Sequence, residues 1–208
     1  MGYYTEQIEK ELSKPPTEIA VIDPGLVNKT PITLYIEHHN HSSPKYTFKG
    51  ENGEILFKGE STFSSIILYD KNDVPLVNIR DGLNYKVYFG KDKTQLLAEV
   101  FSKNSWVADK FSISYYNLVT ENREILDFNM ENTYRSAGVF VGKEKEDAPM
   151  ICKIQRIKGK PFAKAEFSIE MAAGVEYIFM LAISIIFMDK YETSIQNMKK
   201  QHKDITYY

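Results

Sequence analysis

Val175-Glu176-Tyr177-Ile178-Phe179-Met180-Leu181-Ala182-Ile183-Ser184-Ile185-Ile186-Phe187-Met188 decides how this chain folds. Only Glu176 and Ser184 interrupt an apolar run with no polar face, so a helix here has water-avoiding side chains all round it. Fourteen helical residues span ~21 Å, and a bilayer's hydrocarbon core needs about twenty residues to cross ~30 Å. Such a helix is therefore expected inside a protein core, and the rest of the chain has to supply the wall.

Working outward, the preceding sequence is a succession of short strand-like runs. Ile32, Leu34 and Ile36 alternate with Thr33, Tyr35 and Glu37, the period of a half-buried strand. Tyr46-Thr47-Phe48 and Glu54-Ile55-Leu56-Phe57 flank Gly50-Glu51-Asn52-Gly53, in which Asn-Gly marks a hairpin. Residues 66–69 and 75–79 flank Asp70-Lys71-Asn72-Asp73 in the same way. Further runs rich in β-branched and aromatic residues cover 85–89, 96–101, 111–119, 125–130, 137–141, 151–157 and 165–170. About twelve strands with no helix between them predict an all-β closed antiparallel barrel. A barrel of that size is too wide for its own side chains to fill. The apolar helix is its filling.

The boundaries follow. Residues 1–30 form an N-terminal extension: Ile8 and Leu12 hint at a short helix that Lys14-Pro15-Pro16 ends, and Asp23-Pro24-Gly25 is a turn. Residues 31–191 form the barrel domain with its core helix at 175–188, and 192–208 form a tail. Tyr191, Ile195 and Met198 continue a one-sided stripe into that tail, which reads first as a frayed helical end and otherwise as a helix for a partner protein or a membrane surface.

Composition narrows the function classes. The 208 residues carry a net charge of −2, which excludes a global pull toward nucleic acid or anionic membrane. Hydrophobic residues make up 43%, enough for a core and against disorder. Cys152 is the single cysteine, and residues 1–12 lack the apolar stretch of a secretory leader, so an intracellular, cytoplasmic protein is expected.

The segment Phe167-Ser168-Ile169-Glu170-Met171-Ala172-Ala173-Gly174-Val175-Glu176-Tyr177, running straight into the apolar helix, resembles the tubby C-terminal-like superfamily. The nearest branch is the LURP-one-related proteins, relatives of the phospholipid scramblases. That branch reads Y-S-V-E-V-A-P-G-V-D-Y here; Phe167, Ala173 and Glu176 replace its tyrosine, proline and aspartate. Leu68, Asp70, Pro75 and Leu76 resemble its L-x-D-x-x-G-x-P-L segment, with Asp73 at the glycine. The resemblance spans about residues 30–191. It implies a twelve-stranded barrel around a hydrophobic helix, with no enzymatic residue set and no cofactor. It also implies a membrane connection, since tubby proteins bind phosphoinositides and scramblases are associated with membranes and calcium, whereas the LURP-one branch is linked to defence. Tubby's own headgroup residues find no matching motif here.

Candidate chemistry is sparse. Glu37-His38-His39-Asn40-His41 gathers three of four histidines, but His38 and His39 point to opposite faces of a strand and no second ligand group exists, so no metal is expected. Asp70-Lys71-Asn72-Asp73 fails the calcium-loop pattern and reads as a hairpin turn. No Gly-x-Ser-x-Gly, phosphate loop or Cys–His pattern is present, and Cys152 reads as a small buried hydrophobe. One feature stands out: Arg156, Lys158, Lys160 and Lys164, with Lys153 outlying, concentrate positive charge around Gly159-Lys160-Pro161 with no intervening acid. Arg156, Lys158, Lys160 and Lys164 are the candidate headgroup-binding residues for a phosphoinositide or other anionic phospholipid at the plasma membrane. A solvated hairpin tip is the plain alternative. The expectation is a non-enzymatic binding module; the alternatives are a protein-interaction scaffold without a lipid ligand and an enzyme of unrecognised type.

Overall fold

The computed structural model describes residues 2–39, 43–103, 105, 108–158 and 165–205. A short helix, α1 (Tyr3–Glu9), precedes twelve strands. These are β1 (Ile32–His38), β2 (Tyr46–Lys49), β3 (Ile55–Ser61), β4 (Ile66–Asp70), β5 (Pro75–Arg80), β6 (Tyr85–Phe89), β7 (Leu96–Lys103), β8 (Ala108–Asn117), β9 (Asn122–Glu131), β10 (Ser136–Phe140), β11 (Met150–Lys158) and β12 (Glu166–Met171). Each pairs antiparallel with its sequence neighbour, and β1 pairs β12 from Ile32↔Met171 to Glu37↔Glu166, closing the barrel. Closure leaves no unpaired edge. Alternation sets which side chains face in: Phe111, Ile113 and Tyr115 of β8 and Leu126, Phe128 and Met130 of β9 are all buried.

The helix α2 (Tyr177–Ile205) fills the barrel. Every residue from 178 to 188 is buried, and Ser184 inside this run donates its hydroxyl to the Leu181 carbonyl at 2.7 Å. The apolar run thus marks the buried part of a helix of 29 residues, not its full length. Neither Pro nor Gly occurs between 177 and 205, so nothing ends the helix where its burial ends. Tyr191 is buried, Ile195 packs against the core and Met198 is exposed, so the expected tail is a continuation of the core helix. Gly174 joins β12 to α2 at φ +87°, a left-handed conformation that favours glycine, and a Cβ there would lie 3.0 Å from Lys14 Cε.

The segment before β1 is built into the domain. Ile19, Ala20, Val21 and Val27 are buried, and the Ile19 amide donates to the Gly174 carbonyl while the Glu176 amide donates to the Ile19 carbonyl, both at 2.9 Å. Glu176 holds this strap down: its Oε2 accepts from the amides of Val21 (2.6 Å) and Ile22 (2.8 Å). Helix α1 lies on β10 through Gln7, which accepts from Ser136 Oγ at 2.6 Å and donates to the Asn129 carbonyl at 3.1 Å.

Candidate functional site

Because all neighbouring strands run antiparallel in sequence order, the connections leaving odd-numbered strands share one end of the barrel and those leaving even-numbered strands share the other. Helix α2 enters at the second end, where Tyr177 lies against Phe57, and emerges at the first, where Asp189 accepts from the Tyr85 hydroxyl at 2.8 Å. Among the described residues, the connections at the helix-exit end carry Lys45 and Arg135 against Asp81, a formal +1, and the sequence linking β11 to β12 adds Lys160 and Lys164. The five at the other end carry five lysines against Glu51, Glu54, Asp73, Asp92, Glu121, Glu144, Glu146 and Asp147, a formal −3. Within a net charge of −2 the two sets of connections thus differ in formal charge.

The predicted headgroup residues distribute unevenly. Arg156 lies near the helix-exit end of β11, and Lys158 closes that strand opposite Glu166. Lys160 and Lys164 lie outside the described residues. Lys153 does not belong to this surface: it is buried, and its ammonium donates to the Ile8 carbonyl at 2.8 Å, tying down α1. Arg156 lies over the rings of Tyr191, at 4.9 Å, and Phe167, at 5.5 Å. Its Nη2 donates to the Tyr134 carbonyl at 3.1 Å. Beside it a groove of about 300 Å³ runs between the 132–135 connection and the emerging part of α2.

A second network fixes where the helix emerges. Glu192 receives His38 Nε2 and the Lys45 ammonium (2.6 Å), and the Tyr46 hydroxyl donates to it at 3.3 Å. Burial alone raises the Glu192 carboxyl, but hydrogen bonds and charge from His38 and Lys45 outweigh it and hold the group below the usual carboxylate range. His38 is therefore engaged by a carboxylate across the barrel mouth, while His39 contacts Thr47. Among the described residues no three His, Cys, Asp or Glu side chains gather to hold a metal ion. The Asp70 carboxylate accepts from the amides of Asn72 and Val74, both at 2.8 Å, which makes it the cap of a tight turn.

Sequence reasoning missed two residues at this end. Phe63, in the 62–65 connection, and Leu83, in the 81–84 connection, are both fully exposed. Their loops are neighbours, linked by Arg80 Nη2 donating to Ser64 Oγ at 2.8 Å. The available signal was one large apolar residue alone among turn formers, in Thr62-Phe63-Ser64-Ser65 and Asp81-Gly82-Leu83-Asn84. A single exposed apolar residue is ordinary; the meaning comes from two lying on adjacent tips. No described helix is long and apolar enough to cross a membrane.

Comparison with known proteins follows this geometry. The family model described as LURP-one-related matches residues 32–189, from the first strand to the point where the helix leaves the barrel. An X-ray structure of a protein from Arabidopsis thaliana superposes with a TM-score of 0.62 at 21% identity, covering 82% of this chain and 97% of that one. At that identity the likeness concerns the fold. No curated protein matches the chain.

Proposed function

This chain belongs to the LURP-one-related family, and we propose that it is a non-enzymatic binding module that docks the helix-exit end of its barrel on anionic phospholipid at the cytoplasmic face of the plasma membrane. The observation that carries this reading is the pair of fully exposed apolar tips, Phe63 and Leu83, at the end whose connections hold Lys45 and Arg135 and, by sequence, Lys160 and Lys164. Basic residues near an anionic surface contribute ~1 kcal/mol each, so Arg156, Lys158, Lys160 and Lys164 give about 4 kcal/mol, only millimolar affinity. Moving two large apolar side chains partly out of water adds about 3 kcal/mol. Together these reach roughly 10 μM, the range of reversible peripheral attachment. The opposite end, with its surplus of acids, is repelled by the same surface and so fixes the orientation.

The test is co-sedimentation with phosphatidylglycerol-containing vesicles at low and physiological salt. Wild type is expected to sediment, less so at the higher salt. Changing Arg156, Lys158, Lys160 and Lys164 to Gln should abolish the salt-dependent part, and Phe63→Ser with Leu83→Ser should weaken sedimentation at both salts. Wild type remaining in the supernatant at both salts would overturn the reading in favour of a protein-interaction scaffold.

A further inference from the structure

Arg156 carries a permanent positive charge, and its contacts among the described residues are with neutral groups. Its described partners are the carbonyls of Thr133 and Tyr134 and the faces of Tyr191 and Phe167; no carboxylate pairs with it among the described residues. Its Nε is buried with no hydrogen-bond partner, and so is the hydroxyl of Tyr191, a residue 4% exposed. Burial raises the Tyr191 hydroxyl above its usual range against the opposing pull of Arg156, so it stays a protonated donor. Unsatisfied buried donors are costly, and the two residues that carry them, Arg156 and Tyr191, both line the same groove of about 300 Å³. The other walls add Asn132 and Ser194 as polar groups and Ile195 and Met198 as an apolar floor. A concave, mostly apolar site with a few convergent donors is the form of a small-ligand pocket.

We propose that this groove is a subsite for one singly charged phosphodiester bearing an apolar chain, the phosphate of an ordinary anionic glycerophospholipid. The inference rests on the membrane reading for the source of the ligand, and it narrows that reading away from polyphosphoinositides. Charge decides the class. Arg135, at the rim, is already committed to Glu131 at 3.0 Å, which leaves Arg156 as the one uncommitted cation among the described lining residues and matches it to one negative charge. Placement bears on the group: the polar lining residues Asn132, Arg156, Tyr191 and Ser194 belong to three elements, the 132–135 connection, β11 and α2. A tetrahedral phosphate presents oxygens to three sides, whereas a planar carboxylate does not. Ile195 and the exposed Met198 offer the attached chain an apolar lining.

The experiment titrates the full chain with water-soluble dihexanoylphosphatidylglycerol below its micelle concentration, with inositol trisphosphate and octanoate as competitors of different charge and shape. The readout is the Arg156 side-chain Nε–H resonance. The phosphodiester is expected to shift that resonance and to bind more tightly than either competitor. Tyr191→Phe keeps the ring under Arg156 and removes a hydroxyl that has no partner, so stability should be unchanged or higher while affinity falls about tenfold; a merely structural role would not separate the two. Arg156→Gln should abolish binding. No shift at Arg156, equal affinity in Tyr191→Phe, or tighter binding of trisphosphate or octanoate would overturn the inference. The vesicle assay separates the two claims. Wild type that sediments with vesicles but ignores the soluble lipid sinks the groove and keeps the membrane reading; the reverse pattern keeps the groove and sinks membrane docking.

Discussion

Cys152 illustrates how the barrel silences a reactive group. It lies on β11 with no exposure, and burial, helped by the Glu170 charge, pushes the thiol well above its usual range. A thiol reagent is therefore expected to modify it only as fast as the protein unfolds; rapid stoichiometric modification of the native protein would show the wall to be open there. Glu192 works in the opposite direction. Its folded carboxyl is held below the usual range by His38 and Lys45, so its contribution is present above about pH 4.3 and is lost as pH falls through the lower folded value. Glu192→Gln should cost about 2 kcal/mol at neutral pH, and the difference from wild type should shrink toward pH 3 in chemical denaturation. An undiminished difference at low pH would contradict this assignment. His38 and Glu192 are 154 positions apart, and nothing in either neighbourhood announces the pair. The same holds for Arg156 and Tyr191: the charge run around Arg156 was legible as charge, but the stacking that makes a groove of it depends on where the helix leaves the barrel.

At the scale of elements, α2 and the twelve strands were legible because burial imposes a period on them. Alternation in Ile32, Leu34 and Ile36 and unbroken apolarity at 178–188 each have one cheap solution. The strap before β1 has no such period, since its burial comes from partners such as Val175 and Glu176 more than 140 residues away. Glu176 breaks the apolar run in the sequence for that reason. Its carboxylate meets a nest of three backbone amides, Val21, Ile22 and Asp23. Glu176→Ala should destabilise the protein by at least about 2 kcal/mol, and amide hydrogen exchange should accelerate first at Val21 and Ile22; uniform acceleration over the barrel would deny the strap its anchor. In the helix itself Ile183 is fully buried, so Ile183→Ala should cost about 2–5 kcal/mol by denaturant titration. Ile183→Asp, with an unpaired carboxylate in the same place, should leave no soluble folded protein.

For the whole molecule, the ring order of the strands gathers connections of formal charge −3 at the end where the helix enters against +1 among the described connections where it leaves, to which the sequence adds Lys160 and Lys164. Composition could not reveal this, because the two sets of connections interleave along the chain and become separated only when the barrel closes. Membrane docking by the basic end, with Phe63 and Leu83 in the interface, is the central functional claim, and orientation tests it most directly. Because Cys152 is buried, Phe63→Cys and Asp92→Cys each offer one reactive thiol, at opposite ends of the barrel, for an apolar nitroxide label. On phosphatidylglycerol-containing vesicles the label at position 63 should lose access to a water-soluble nickel complex and gain access to oxygen, while the label at position 92 keeps its accessibility in free solution. Protection at position 92, or no change at either position while the protein is bound, would contradict docking by this end.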